Sequence, residues 1–110
     1  MSGMSLRLTG LNFDVMISGV TILVDFYKDG CVPCRRMSPV LAELEEQHPE
    51  IAFAKVNAEM EKELAEKLEI RSVPTLILFR NGVEAGRLAG VQSRQKVEEL
   101  IGEESEGGAE

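Results

Sequence analysis

The chain has no tryptophan, one tyrosine, one histidine and only two cysteines, and its 12 basic residues are outnumbered by 19 acids. Each shortage excludes something. Two cysteines and His48 cannot supply the four nitrogen or sulfur ligands of a structural zinc site within one chain. A formal charge of −7 argues against nucleic acid as the main partner, because phosphate contacts need a basic surface. It argues equally against docking on an anionic membrane. No run is long and apolar enough to span a bilayer as a helix. Met1-Ser2-Gly3-Met4-Ser5 has no basic region followed by an apolar block, and the first apolar stretch is broken by Asn12, Asp14 and Ser18. No secretory signal is expected, and the expected location is the cytoplasm. Thiols are kept reduced there, so a lone cysteine pair points to catalysis or metal binding before a structural staple.

What is present is a chain of 110 residues, 44% hydrophobic, enough for one domain with its own core. Its two cysteines fall in Asp29-Gly30-Cys31-Val32-Pro33-Cys34-Arg35-Arg36. The spacing is C-x-x-C, between an apolar run (Val20 to Tyr27) and a segment of helical spacing (Met37, Val40, Leu41, Leu44). A cysteine where a strand turns into a helix faces unpaired backbone N–H groups and the positive end of the helix dipole. A thiolate is stabilised there and becomes nucleophilic near neutral pH. The alternatives are weaker. A disulfide closing so short a loop stabilises by only about 2 kcal/mol. A zinc site could arise only by two chains sharing a metal, because His48 lies roughly 20 Å along the helix. Haem attachment needs a histidine after the second cysteine, and Arg35 stands there. Dithiol–disulfide exchange is the favoured chemistry.

Along the chain, Leu6 to Leu8 is a short strand candidate, and a short helix starting at Thr9 or Asn12 is expected to carry Leu11, Phe13 and Met16 before Gly19 ends it. Val20 to Tyr27 reads as a strand buried on both faces. The helix after Cys31 is predicted to run to about Gln47, with Pro39 inside it. Ile51 to Val56 is a second buried strand. Asn57 is expected to cap a helix with the stripe Met60, Leu64, Leu68. Thr75 to Arg80 is a third strand, and Asn81-Gly82 the signature of a hairpin leading into Val83 to Ala89. Ser93 is expected to cap a last helix carrying Val97, Leu100 and Ile101. Residues 1–102 form the predicted domain, and 103–110 a disordered acidic tail. Crossover helices and one hairpin predict an α/β fold with a mixed sheet.

Ile22-Leu23-Val24-Asp25-Phe26-Tyr27, Cys31-Val32-Pro33-Cys34, Arg71-Ser72-Val73-Pro74-Thr75-Leu76, Asn81-Gly82 and Gly90, taken together, resemble the thioredoxin family over about Leu6 to Ile101. The resemblance implies a central mixed five-stranded sheet flanked by four helices, and a protein-disulfide reductase that needs no prosthetic group beyond a redox-active Cys31–Cys34 disulfide and no metal. It implies Cys31 as the attacking thiol, Cys34 as the buried resolving thiol, Asp25 as the acid handling its proton and Lys55 as a modulator of Asp25. Gly30, Val32, Pro33, Val73, a cis Pro74, Gly90 and Val91 would line the substrate groove. Expected partners are thioredoxin reductase or a similar electron donor and oxidised protein disulfides, with the protein acting as a monomer. The residues support Asp25 independently: a carboxylate within an apolar strand is costly to ionise, so a raised pKa is expected, opposed by Lys55.

Two departures stand out. Gly30 occupies the place where the family usually has tryptophan, which predicts weaker docking with a generic reductase. Val32 replaces the usual glycine between the cysteines. Proline, not histidine, precedes Cys34, which favours a reductant with a potential nearer thioredoxin's own reference value (about −270 mV) than that of protein disulfide isomerase (about −180 mV). A thioredoxin-fold binding module without turnover, or a dimer sharing a metal, is the alternative reading.

Overall fold

In the computed structural model residues 6–107 are described. The strand predicted from Val20 to Tyr27 forms β1 (Thr21–Tyr27), whose five interior residues are all buried. It is buried because it is central. On one side it runs parallel to β2 (Ala52–Asn57) and on the other antiparallel to β3 (Thr75–Arg80). β4 (Val83–Ala89) completes a mixed four-stranded sheet in the order β2-β1-β3-β4. The expected fifth strand is not formed among the described residues. Arg7 makes a single parallel bridge to Lys55, with Leu8 N–H donating to the Lys55 carbonyl at 2.9 Å and Lys55 N–H to that of Leu6 at 3.0 Å. The run then ends in a turn, since Thr9 N–H donates to Asn12 Oδ1 at 2.8 Å instead of extending the ladder.

Side chains of a strand alternate between faces, and here each parity has its own core. Ile22, Val24 and Phe26 of β1 pack with Phe13, Ile17, Ala54, Val56, Ile77 and Phe79. This face is covered by α1 (Phe13–Ile17) and α3 (Lys62–Lys67). Leu23 packs with Met37, Leu41, Leu44, Phe53, Leu76, Leu78, Val97 and Ile101, beneath α2 (Val32–Gln47) and α4 (Arg94–Gly107). By the same parity Asp25 and Lys55, in register across β1 and β2, belong to the α2 face.

Two helices differ from expectation in their inward stripe. α1 starts at Phe13 and buries Phe13 and Ile17, an i,i+4 pair, with Phe13 edge-on to Phe79 at 5.4 Å. Leu11 is left 98% exposed before the helix begins. α3 starts five residues after Asn57 because the Asn57 carboxamide accepts from Glu59 and Met60 N–H, both at 3.0 Å, and holds a turn there. Met60 is consequently exposed, while Leu64 and Ala65 are buried. The hairpin is as predicted: Asn81 and Gly82 have φ of 51° and 84°, both in the left-handed region a two-residue turn of this kind requires. Gly86 of β4 is where α4 comes close, since a Cβ there would lie 2.8 Å from Leu100 Cδ1. Ser93 Oγ accepts from Lys96 N–H at 3.2 Å, as expected of a cap. α4 continues past residue 102 to Gly107, into the stretch predicted to be a disordered tail, whose residues 108–110 lie outside those described. Among the described residues no helix is long and apolar enough to cross a membrane.

Candidate active site

β1 ends at Tyr27, and the chain reverses through Gly30, whose φ of 73° is left-handed. Cys31 follows as the N-cap of α2, in extended geometry, and its Sγ accepts from the Cys34 N–H at 3.1 Å. The sulfur therefore takes the place an Asp or Ser oxygen usually fills at a helix start. Pro33 costs the helix nothing in the first turn, where its missing N–H would have had no intrahelical partner. Cys31 and Cys34 are joined by a disulfide, with Cα atoms 5.3 Å apart. Cys34 is 5% exposed, Cys31 is half-buried, and Val32 and Pro33 are exposed beside them. One sulfur thus stands at the helix N-terminus, where a thiolate would be stabilised on reduction, and the other is shielded one helical turn inside.

Asp25 lies behind the pair. It is 5% exposed, and its Oδ1 has no hydrogen-bond partner among the described residues. Burial pushes its carboxyl up to about 7, while the nearby Lys55 ammonium acts to lower it. A cavity of about 230 Å³ has Asp25, Lys55, Cys34, Gly30 and Ser38 among its lining residues. It gives the carboxyl and the inner sulfur a common space, large enough for water to bridge them. Lys55 Nζ also sits 5.5 Å from the centre of the Tyr27 ring, which holds the ammonium beside Asp25 by a cation–π contact.

The remaining predicted site residues come to the same end of the sheet. Thr75 pairs with Phe26 and with Ala89, so Pro74 and Gly90 lie beyond the last pairs, where β1 hands over to the cysteine turn. The Val73–Pro74 peptide is cis, and the Pro74 carbonyl accepts from Gly90 N–H at 2.7 Å. This bond joins the two expected groove walls. Val91 is exposed at 48%. Gln92 N–H donates to Met37 Sδ at 3.4 Å, fixing the Gly90–Val91 wall to α2. Sequence reasoning missed three residues here: Tyr27, Ser38 and Met37. Ser38 was legible in principle, because it falls one turn after Cys34 and its Oγ reaches the Cys34 carbonyl at 3.5 Å. Among the described residues no group of three or more His, Cys, Asp or Glu side chains is gathered as for a metal ion. His48 caps the far end of α2 and contacts Glu50 at 3.3 Å.

A thioredoxin family model matches residues 4–103. The chain is 38% identical over 90 residues to a thioredoxin from Chlamydia pneumoniae, covering 82% of this chain and 88% of that one. It is 33% identical over 96 residues to a bifunctional thioredoxin reductase/thioredoxin from Mycobacterium leprae, covering 84% of this chain and 21% of that one. In structure it resembles oxidised mitochondrial thioredoxin 3 from Saccharomyces cerevisiae, with a TM-score of 0.83, 28% identity, and coverage of 89% of this chain and 93% of the yeast one.

Proposed function

This chain belongs to the thioredoxin family and is a thiol–disulfide oxidoreductase working by dithiol–disulfide exchange at Cys31 and Cys34, and from that premise we propose how its side chains divide the work. In the reduced protein Cys31 is the thiolate. It attacks one sulfur of a substrate disulfide, so that the substrate S–S bond breaks, a mixed disulfide forms, and the leaving substrate thiolate takes up a proton. Cys34 gives its proton to Asp25 and attacks the Cys31 sulfur. The second substrate thiolate leaves, and the Cys31–Cys34 disulfide remains. Two electrons have passed to the substrate. The observation that carries this reading is the Cys34 N–H aimed at Cys31 Sγ, with Asp25, whose Oδ1 has no hydrogen-bond partner among the described residues, on the cavity it shares with Cys34.

Asp25 suits the second step because its pKa of about 7 lets it accept a proton near neutrality and return it to solvent, as general base catalysis requires. Lys55 keeps that value from climbing further. The substrate chain lies extended against Val73 and Pro74, where the missing Pro N–H frees the backbone from the ladder, with Gly30, Val32 and Pro33 on one side and Gly90 and Val91 on the other. Substrates are oxidised protein disulfides. A thioredoxin reductase returns the electrons, a pairing supported by the Mycobacterium leprae protein, whose name joins both activities in one chain. The protein works as a cytoplasmic monomer, with residues 1–102 as the catalytic domain and 103–110 as a solubilising end. Reduction of insulin by dithiothreitol tests the reading. The protein is expected to accelerate it catalytically and Cys31→Ser to abolish the acceleration; acceleration retained in Cys31→Ser overturns it.

A further inference from the structure

Beside the groove lies a second cavity, of about 260 Å³, that the exchange chemistry does not use. Val73, the residue before the cis proline, is among its lining residues, as are the apolar Ala58, Ala65 and Ile70. Its lining residues include three cationic ones, Lys28, Lys62 and Arg71, and two acidic ones, Glu59 and Glu66. The balance is one positive charge in a chain whose formal total is −7. None of the three cations is in an ion pair among the described residues, whereas Arg87 and Arg94 pair with Glu84, Glu43 and Glu98. Lys28 also lines the cavity shared by Asp25, Gly30 and Cys34, so the two spaces have a wall in common. No side chain at Gly30 covers the approach, and nothing lies within 4 Å of where its Cβ would be.

We propose that this cavity is a specificity subsite that takes the carboxylate side chain of an aspartate or glutamate lying two residues from the attacked cysteine of the substrate. The proposal rests on Val73 being the residue that pairs with substrate backbone. In an extended chain, residues two apart point to the same side about 7 Å from each other. A polypeptide presenting its cystine to Cys31 therefore sends its next same-side residue along the groove past Val73. The apolar lining receives the methylenes, and Lys28, Lys62 and Arg71 receive the charge. Arg71 adds the forked geometry suited to a carboxylate.

The test uses the reduced protein and two cystine-bridged peptides, identical except for Glu or Lys two residues from each cysteine. Second-order rate constants for their reduction are measured by stopped flow at low ionic strength. The Glu peptide is expected to react about fivefold faster, the scale of a few partly exposed ion pairs. Repulsion by the net negative charge predicts the opposite order, so the sign alone discriminates. Arg71→Glu and Lys62→Glu, each shown to fold by circular dichroism, are expected to bring the ratio to one or below. Equal rates for the two peptides, a faster Lys peptide, or a ratio unmoved by both variants overturns the subsite and leaves the reductase reading standing. Failure to reduce either peptide overturns both.

Discussion

Replacing Asp25 by asparagine removes a carboxyl held in the apolar interior beneath α2, and its effect on stability has a definite sign and pH dependence. In the folded protein the group titrates at about 7 rather than 3.8, chiefly because burial penalises its charged form. A pKa raised on folding means that the native state holds the proton more tightly. Its contribution is therefore most favourable below pH 3.8 and is lost as pH rises through 7. The interval from 3.8 to about 7 corresponds to about 4 kcal/mol, all of it a cost to the wild type at pH 9. At pH 5 less than half of that cost has appeared. Because Asp25 is 5% exposed, solvent screening removes little of it. Asparagine keeps the shape and has no proton to lose, so the advantage of Asp25→Asn is expected to grow by about 2–3 kcal/mol between pH 5 and pH 9. Urea unfolding of both proteins with the disulfide intact, extrapolated linearly to water, measures it without interference from thiol titration. A difference between the two proteins that is the same at both pH values would refute burial as the origin of the raised pKa. In the reduced protein the same change is expected to slow release of substrate from the mixed disulfide by about a hundredfold, the lower end of what a positioned base contributes.

Iodoacetamide at pH 6 is expected to alkylate Cys31 of the reduced protein about fivefold faster than an unstructured peptide thiol, with Cys34 protected; equal rates by mass spectrometry would remove the helix N-terminus as a source of thiolate. Gly82→Val forces a β-branched side chain onto a φ of 84° and is expected to cost about 1–2 kcal/mol in urea unfolding, against the gain that strand propensity alone would give. Truncation after Gly102 is expected to leave insulin reduction unchanged; a loss of rate would make the acidic end part of the docking surface.

The fold was legible wherever a short apolar run sat between strong breakers. β1, β3, the Asn81-Gly82 turn and the C-x-x-C helix fall within a residue or so of where the sequence puts them, because each is specified locally. The errors share a cause. The faces of α1 and α3 depend on where each helix begins, and that is set by the side-chain bonds of Asn12 and Asn57 to backbone in the preceding turns. Spacing between apolar residues does not reveal such bonds. The fifth strand was lost for the same reason, at Thr9. In the site, Asp25 stood out as a charge in an apolar strand, and Pro74 was placed by resemblance. Tyr27, Ser38 and Met37 were hidden because they act through neighbours brought close only in three dimensions. In the sequence Gly30 stands out as a missing aromatic. Its left-handed backbone adds that any side chain placed there also strains the turn carrying Cys31.

The separation of the two cores by odd and even positions of β1 has a consequence for how such a chain can change. Deleting Val24 would make Leu23 and Asp25 neighbours in the strand and so put them on opposite faces. With Leu23 and the residues before it held in their layers, the carboxyl would face the phenylalanines with no sulfur near it. Substitution leaves this alternation intact, whereas loss of a single residue from the strand interior does not, so length variation is better tolerated in the connections.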